Sequence, residues 1–73
     1  MRKQPMTAQD CGKAMRKCRE DVGMSMWSLG QMSGVHPNTI SNYELGKYGA
    51  SLINIIALAD ALGISIDKYI GRV

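Results

Sequence analysis

Residues 25–46 contain two short helical patterns separated by a sharp break, and this arrangement constrains the fold more than any other feature. Ser25 suits the start of a helix because its hydroxyl can accept a backbone N–H there. Gly34 suits the end of the same helix. Between them lies an apolar stripe at helical spacing: Met26, Leu29 and Met32. The pattern predicts a first helix over about 26–33.

A second helix is predicted immediately after this break. Proline disfavours a helical residue before it but suits the first position of a helix, so His36-Pro37 marks a new start. Gly46 marks the end, which gives a helix over 37–45. Its inner face is predicted to carry Ile40, Tyr43 and Glu44. Its outer face is predicted to carry Asn38, Ser41, Asn42 and Leu45.

The outer face of helix 37–45 is rich in hydrogen-bonding groups. Asn38 and Asn42 are four residues apart, so their amides lie one turn above the other, with Ser41 between them. Each amide offers a donor and an acceptor side by side, which is the pattern that matches adenine in the DNA major groove. Short polar side chains also face water on ordinary surface helices, so periodicity leaves both interpretations open.

Several ordered pieces of the sequence occur in one known family. They are Ser25, Leu29, Gly34-Val35, Thr39-Ile40-Ser41, Tyr43-Glu44, Gly46-Lys47, Ser51-Leu52 and the run 58–65. On these residues the chain resembles the Cro/phage-repressor (xenobiotic-response-element-like) helix-turn-helix family, from about Gly12 to Ile70. The resemblance implies an all-α, compact five-helix lambda-repressor-like domain with the helix-turn-helix at about 26–45. It also implies a sequence-specific, repressor-like regulator that places helix 37–45 in the major groove of double-stranded DNA.

The resemblance also implies roles for individual residues. Base reading is expected from Asn38, Ser41 and Asn42, whereas Pro37 has no donor and is limited to contacts such as a thymine methyl. Phosphate contacts are expected from His36, Thr39, Lys47, Tyr48 and Trp27. Other interpretations stay open: His36 as a simple cap, Lys47 and Tyr48 as an ordinary surface loop, and Trp27 as a lid on the core or a partner surface.

One ion pair is implied by the same resemblance. In the family, an arginine at the place of Arg19 pairs with the glutamate that matches Glu44. Such a pair would tie the first helix to the end of the recognition helix, because a guanidinium fork holds a carboxylate in a fixed orientation. The alternative is that Arg19 is a free surface side chain.

The remaining segments are predicted from caps and stripes. Thr7 and Asp10 form a capping-box pattern that begins the first helix, whose apolar stripe is Cys11, Met15, Cys18 and Val22. Ser51 caps a helix ended by Gly63, whose stripe is Leu52, Ile55, Ile56, Ala59 and Leu62. Ser65 caps a last short helix, whose apolar residues form either a homodimer surface or ordinary core: Ile66, Tyr69 and Ile70. Residues 1–6 are expected to be a flexible arm ahead of a domain over 7–73.

Charge and composition narrow the class of protein. The 73 residues allow one small core, and 45% hydrophobic residues are too many for a disordered chain. A net charge of +3 and a pI near 9.1 suit a polyanionic partner without requiring one. The basic residues crowd the first segment: Arg2, Lys3, Lys13, Arg16, Lys17 and Arg19. With no apolar run near the ~20 residues of a membrane span and no signal-peptide pattern, a cytoplasmic protein is expected.

Enzymatic and metal-binding functions find little support in the sequence. Cys11 and Cys18 are too far apart on one helix for a disulfide and are expected to be small buried apolar groups. One histidine and no clustered carboxylates leave no metal site and no catalytic constellation. We therefore expect no cofactor, no metal and no small-molecule ligand. The alternative to DNA binding is a protein-interaction module, or an antitoxin-like partner, that retains the helix-turn-helix fold.

Overall fold

The computed structural model describes residues 7–64, and this part of the chain forms four helices and no strand. Helix α1 spans Ala8–Asp21, α2 spans Met26–Ser33, α3 spans Pro37–Glu44 and α4 spans Leu52–Leu62. The all-α class and the positions of α2 and α3 are therefore confirmed, with Leu45 as the cap of α3 instead of its last residue. The predicted fifth helix with Ile66, Tyr69 and Ile70, and the predicted arm over 1–6, lie outside the described residues.

Local sequence explains where the helices begin and end. Thr7 and Asp10 form the predicted capping box, with Thr7 Oγ1 accepting the Asp10 N–H at 3.0 Å. Serine side chains at 25 and 51 accept backbone N–H groups at the starts of α2 and α4. The helices α1, α2 and α4 are each followed by a left-handed glycine, where the absent Cβ removes the steric penalty of a positive φ.

A single group of side chains from all four helices and the turn after α2 forms the core. Its buried members are Met15, Cys18, Leu29, Val35, Ile40, Tyr43, Leu58 and Leu62. Met24 and Met26 pack against this group from partly buried positions. The core therefore lies under the inner face of α3 and leaves the opposite face of that helix for other contacts.

The predicted inner stripe of α1 is right in its middle and wrong at its end. Met15 and Cys18 are buried, but Cys11 is only half-buried and Val22 is 49% exposed. Val22 lies beyond Asp21 as the C-cap, where the chain turns at Gly23, so helical spacing no longer directs its side chain inward. The prediction that both thiols are buried therefore holds for Cys18 alone.

The predicted inner face of α4 is wrong by part of a turn. Leu52 and Ile56 are exposed, whereas Leu58, which the stripe omitted, is fully buried. Ile55, Ala59 and Leu62 do face inward, as predicted. Because the segment Leu52–Leu62 is apolar on nearly every side, its periodicity does not single out one face, and packing against α2 decides it.

The backbones of α1 and α3 approach each other unusually closely at Gly12. A Cβ added to Gly12 would clash with the backbone carbonyl of Tyr43 and would lie 2.7 Å from the carbonyl oxygen of Glu44. Gly12 thus lets the two backbones meet without an intervening side chain. At the next turn, Gly46 has a φ of +74°, and a Cβ there would lie 2.5 Å from Cγ of Gln9 on α1. The end of α3 therefore packs directly against α1, and a glycine makes each of the two close contacts possible.

Candidate nucleic-acid interface

The turn between α2 and α3 is tight because Gly30 has no side chain to hold the two helices apart. A Cβ on Gly30 would lie 2.9 Å from the carbonyl oxygen of Val35 and 3.1 Å from the ring of Pro37. Gly34 has a φ of +77° and donates its N–H to the carbonyl of Gly30 at 2.9 Å. These contacts fix the angle at which α3 leaves the turn and so fix the direction of its outer face.

The start of α3 is capped by an imidazole. Nδ1 of His36 accepts the backbone N–H of Asn38 at 3.0 Å, and Pro37 occupies the first helical position. In the neutral ring with Nδ1 as acceptor, the proton resides on Nε2. The His36 side chain is exposed, so Nε2–H can donate to a phosphate oxygen while Nδ1 keeps the cap. Capping and phosphate contact are thus compatible roles.

The two faces of α3 differ in burial as the sequence predicts. Ile40, Tyr43 and Glu44 are buried. The outer side chains are Pro37, Asn38, Ser41, Asn42 and Leu45, of which Asn38 and Leu45 are exposed and the others half-buried. Thr39 is half-buried beside them. The described chain therefore leaves Asn38 exposed and covers the other side chains singled out for base reading only in part.

The loop after α3 folds back along the helix. The Gly46 N–H donates to the carbonyl of Tyr43 and the Lys47 N–H donates to the carbonyl of Asn42, both at 3.0 Å, which is a Schellman ending. Tyr48 follows, and its hydroxyl accepts Nδ2–H of Asn42 at 3.1 Å. Lys47 and Tyr48 are both exposed, so the loop lies beside the outer face of α3.

An aromatic contact holds the Tyr48 ring against the core. Its ring meets that of Tyr43 edge-on, with centroids 5.5 Å apart. The Tyr43 hydroxyl in turn accepts Nδ2–H of Asn54 on α4 at 2.7 Å. Asn54 was not among the residues that the sequence singled out, because an asparagine one turn into a helix has no distinctive pattern. The hydrogen bond between Asn54 and Tyr43 nevertheless joins the inner face of α3 to α4.

Arg19 and Glu44 form a buried, two-pronged ion pair. Nε and Nη2 of Arg19 donate to the two carboxylate oxygens of Glu44 at 2.7 and 3.0 Å. Nη1 donates to the carbonyl of Met24 at 2.9 Å, so the guanidinium also fastens the α1–α2 turn. The hydrogen bonds to Glu44 raise the pKa of Arg19 above its ordinary value, although burial acts in the opposite direction. The pair links α1 to the last turn of α3.

Trp27 does not serve as a lid on the core. Its side chain is 66% exposed. Together with Gln31, Gly34, His36 and Pro37 it lines an open groove beside the start of α3. This position is open to contact with a DNA backbone or with a protein partner.

The described part of the chain has no net charge. Residues 7–64 hold five basic and five acidic side chains, so the overall +3 resides in residues 1–6 and 65–73. On α1, Arg16 pairs with Glu20 at 3.2 Å and Lys17 pairs with Asp21 at 3.8 Å. Two of the basic residues in the first segment, Arg16 and Lys17, are therefore paired with carboxylates at helical spacing, which the sequence already displays.

Other kinds of site are not evident between residues 7 and 64. None of the helices there combines the length and hydropathy needed to cross a membrane. Over the same range, His, Cys, Asp and Glu side chains do not gather in groups of three or more that could hold a metal ion.

Two short helices joined by a glycine turn, with a polar outer face on the second, define the class of helix-turn-helix proteins. A family model described as Helix-turn-helix matches residues 15–69. The chain belongs to this family, in its Cro/C1-type branch.

Curated relatives and solved structures agree with this assignment. The chain is 36% identical over 59 residues to a protein of Methanosarcina acetivorans named as an HTH-type transcriptional regulatory protein, and 34% identical to one so named from Methanococcoides burtonii. Each match takes in 81% of this chain and 18% of the relative. The chain thus spans less than a fifth of the length of these relatives.

Among solved structures, the fold is similar to two bacterial regulators. The restriction-modification controller protein C.AhdI from Aeromonas hydrophila matches with a TM-score of 0.82 and 31% identity, covering 85% of this chain and 94% of that one. The clp gene regulator ClgR from C. glutamicum matches with a TM-score of 0.83 and 29% identity, covering 90% and 86%.

Proposed function

We propose that the chain is a sequence-specific, double-stranded DNA-binding transcriptional regulator of the repressor type, acting in the cytoplasm. The observation that carries the proposal is the open outer face of α3, where exposed Asn38 lies one turn from half-buried Asn42 on a helix whose inner face is buried. Family membership and the regulators named among its relatives support the same function.

In this proposal α3 enters the major groove, where its outer side chains contact bases and the flanking residues contact phosphates. Asn38, Ser41 and Asn42 meet base edges, and Pro37 makes an apolar contact. The flanking residues meet phosphates: Trp27, His36, Thr39, Lys47 and Tyr48. A homodimer formed through Ile66, Tyr69 and Ile70 would place two α3 helices on half-sites about one turn of DNA apart.

Binding-site selection from a random DNA pool tests the proposal directly. The full chain is expected to enrich a defined sequence, and Asn38→Ala is expected to lose about 1–3 kcal/mol of binding at one base position. Asn38 suits this test because its side chain is exposed and has no hydrogen-bond partner within residues 7–64. Lys47→Ala is the matched comparison, since removing a phosphate contact should weaken binding to every duplex alike. Equal losses on selected and random DNA after Asn38→Ala would refute the base-reading role.

A protein-interaction module is the second candidate, and two observations favour it. The described body carries no net charge, which provides little long-range attraction to phosphates. Helix α4 also exposes three large apolar side chains, Leu52, Ile53 and Ile56. A gel shift with random duplex at low salt separates the two functions, because a DNA-binding domain retards the duplex whereas a pure interaction module leaves it unshifted.

A further inference from the structure

The ending of α3 brings Tyr48 to the side chain of Asn42. The Lys47 N–H bonds to the carbonyl of Asn42, and the next residue, Tyr48, bonds to the amide of Asn42. The same asparagine therefore accepts a backbone hydrogen bond from Lys47 and donates a side-chain hydrogen bond to Tyr48. Because Gly46 in its left-handed conformation creates this return of the chain, the contact depends on the loop geometry as well as on Tyr48.

The hydrogen bond restricts how Asn42 can present its amide. A free asparagine can rotate its amide by half a turn, which exchanges the positions of donor and acceptor. Asn42 uses one Nδ2–H on the Tyr48 hydroxyl at 3.1 Å, which leaves its Oδ1 and second N–H for a base edge. A hydroxyl can also donate to Oδ1 of the flipped amide, so the order of the two groups is fixed only while the Tyr48 O–H is donated elsewhere, as in the phosphate contact proposed above. Asn38, the other amide on this face, has no comparable restraint from residues 7–64.

Tyr48 is itself held in place by groups on the inner side. Its ring lies edge-on against the buried ring of Tyr43, whose hydroxyl is bonded to Asn54. The hydroxyl that receives the Asn42 amide is thus connected to the core through two aromatic rings. Such support reduces the entropy that would otherwise be lost when the Asn42 side chain is ordered on a base.

We propose that Tyr48 is a specificity-determining positioning residue: with its own O–H donated to a phosphate, its hydroxyl fixes the order of donor and acceptor that Asn42 presents to a base pair. Adenine offers N7 as acceptor and N6–H as donor in the major groove, so one amide orientation matches its edge and the reverse orientation opposes like groups. Tyr48 thereby selects which base pair Asn42 accepts. This role rests on the proposed function of α3.

A double-mutant cycle on DNA binding tests the role. The sequence selected by the wild-type chain and duplexes altered at the base pair read by Asn42 are bound to wild type, Tyr48→Phe, Asn42→Ala and the double variant. Tyr48→Phe keeps the ring contact and is expected to reduce discrimination at that base pair by about three- to tenfold, the range for one hydrogen bond. In the Asn42→Ala background the same change should have no effect on discrimination, since the hydroxyl acts through that amide.

Tyr43→Phe is the matched control, because it deletes a tyrosine hydroxyl whose partner is Asn54 on α4. It is expected to lower stability without changing discrimination. If Tyr48→Phe weakens selected and random duplexes alike and leaves discrimination unchanged, or reduces discrimination equally with and without Asn42, the hydroxyl does not act through the Asn42 amide and the proposal is overturned.

Hydrogen exchange of side-chain amides in the free protein tests the geometry without any variant. One Asn42 amide proton should exchange with water more slowly than those of Asn38, which is the internal reference on the same face. Equal exchange at both asparagines overturns the proposal. If instead the wild type selects no sequence, the proposed function fails and the specificity role fails with it, while slow exchange at Asn42 would still report the hydrogen bond.

Discussion

Removing Arg19 should destabilise the protein far more than the loss of a surface charge would. The side chains of Arg19 and Glu44 are 10% and 2% exposed, and two hydrogen bonds of 2.7 and 3.0 Å join them. Arg19→Ala leaves the carboxylate of Glu44 buried without its partner, which costs about 3–5 kcal/mol in comparable pairs. A domain of this size has a total stability of roughly 4–11 kcal/mol, so the variant should lie close to the edge of folding.

Urea unfolding followed by far-ultraviolet circular dichroism measures this effect. The matched variant is Arg16→Ala, which breaks an exposed pair with Glu20 and should change the unfolding free energy by less than about 1 kcal/mol. Because the Arg19 pair is shielded from solvent, the difference between the two variants should persist at high salt. A loss below about 1 kcal/mol for Arg19→Ala would show that the pair behaves as a surface contact and would refute the reasoning.

A double replacement separates the buried charge from the packing. Arg19→Met combined with Glu44→Leu removes both charges and keeps similar volumes, so most of the stability lost in Arg19→Ala should return. The pH dependence is fixed in sign by the raised pKa of Arg19. Its contribution is fully present below the ordinary pKa of arginine and is lost only as pH rises through the still higher folded value, so the pair should be insensitive to pH around neutrality.

The remaining predictions concern packing and thiol chemistry. Leu58→Ala should lower the free energy of unfolding by about 2–5 kcal/mol, because the Leu58 side chain is fully buried. Leu52→Ala should change it by no more than about 0.5 kcal/mol, because the Leu52 side chain is 67% exposed. Equal losses in thermal melts would contradict the observed inner face of α4. Gly12→Ala should destabilise the domain by about 1–3 kcal/mol, despite the better helix propensity of alanine, because its Cβ meets the backbone of α3; an unchanged or raised Tm would refute the close approach. A thiol reagent should modify half-buried Cys11 before buried Cys18. Since burial raises the pKa of Cys11, with a smaller contribution from Asp10, its rate should still be rising at pH values above the ordinary pKa of a thiol; a plateau below that pH would contradict the shift.

Several features of the site required knowledge of the fold. The exposure of Trp27 could not be read from its spacing, because a tryptophan beside an apolar stripe suits either a lid or a surface. Gly12 looks like a weak helical residue until α3 is seen lying against it. The bond between Asn42 and Tyr48 joins residues six apart across a loop, and no helical or strand period relates them.

What the sequence determined by itself is the set of local structures. The capping box at Thr7, the serine caps, the glycine endings and the proline at the start of α3 act over three to five residues, so their chemistry alone places four helices with bounds close to those observed. It also determined the two faces of α3, because Asn38, Ser41 and Asn42 recur on one side of the helix and Ile40 and Tyr43 on the other.

Only the tertiary structure decided which face of an apolar helix points into the core and which surface groups contact each other. In α4, nearly every side of the helix offers similar apolar side chains, so the choice among them comes from packing against α2. The tertiary structure also decided the close packing of α3 on α1 and the hydrogen bond between Asn42 and Tyr48. These arrangements are set by contacts between distant segments, and such contacts exist only once the chain has closed around its core.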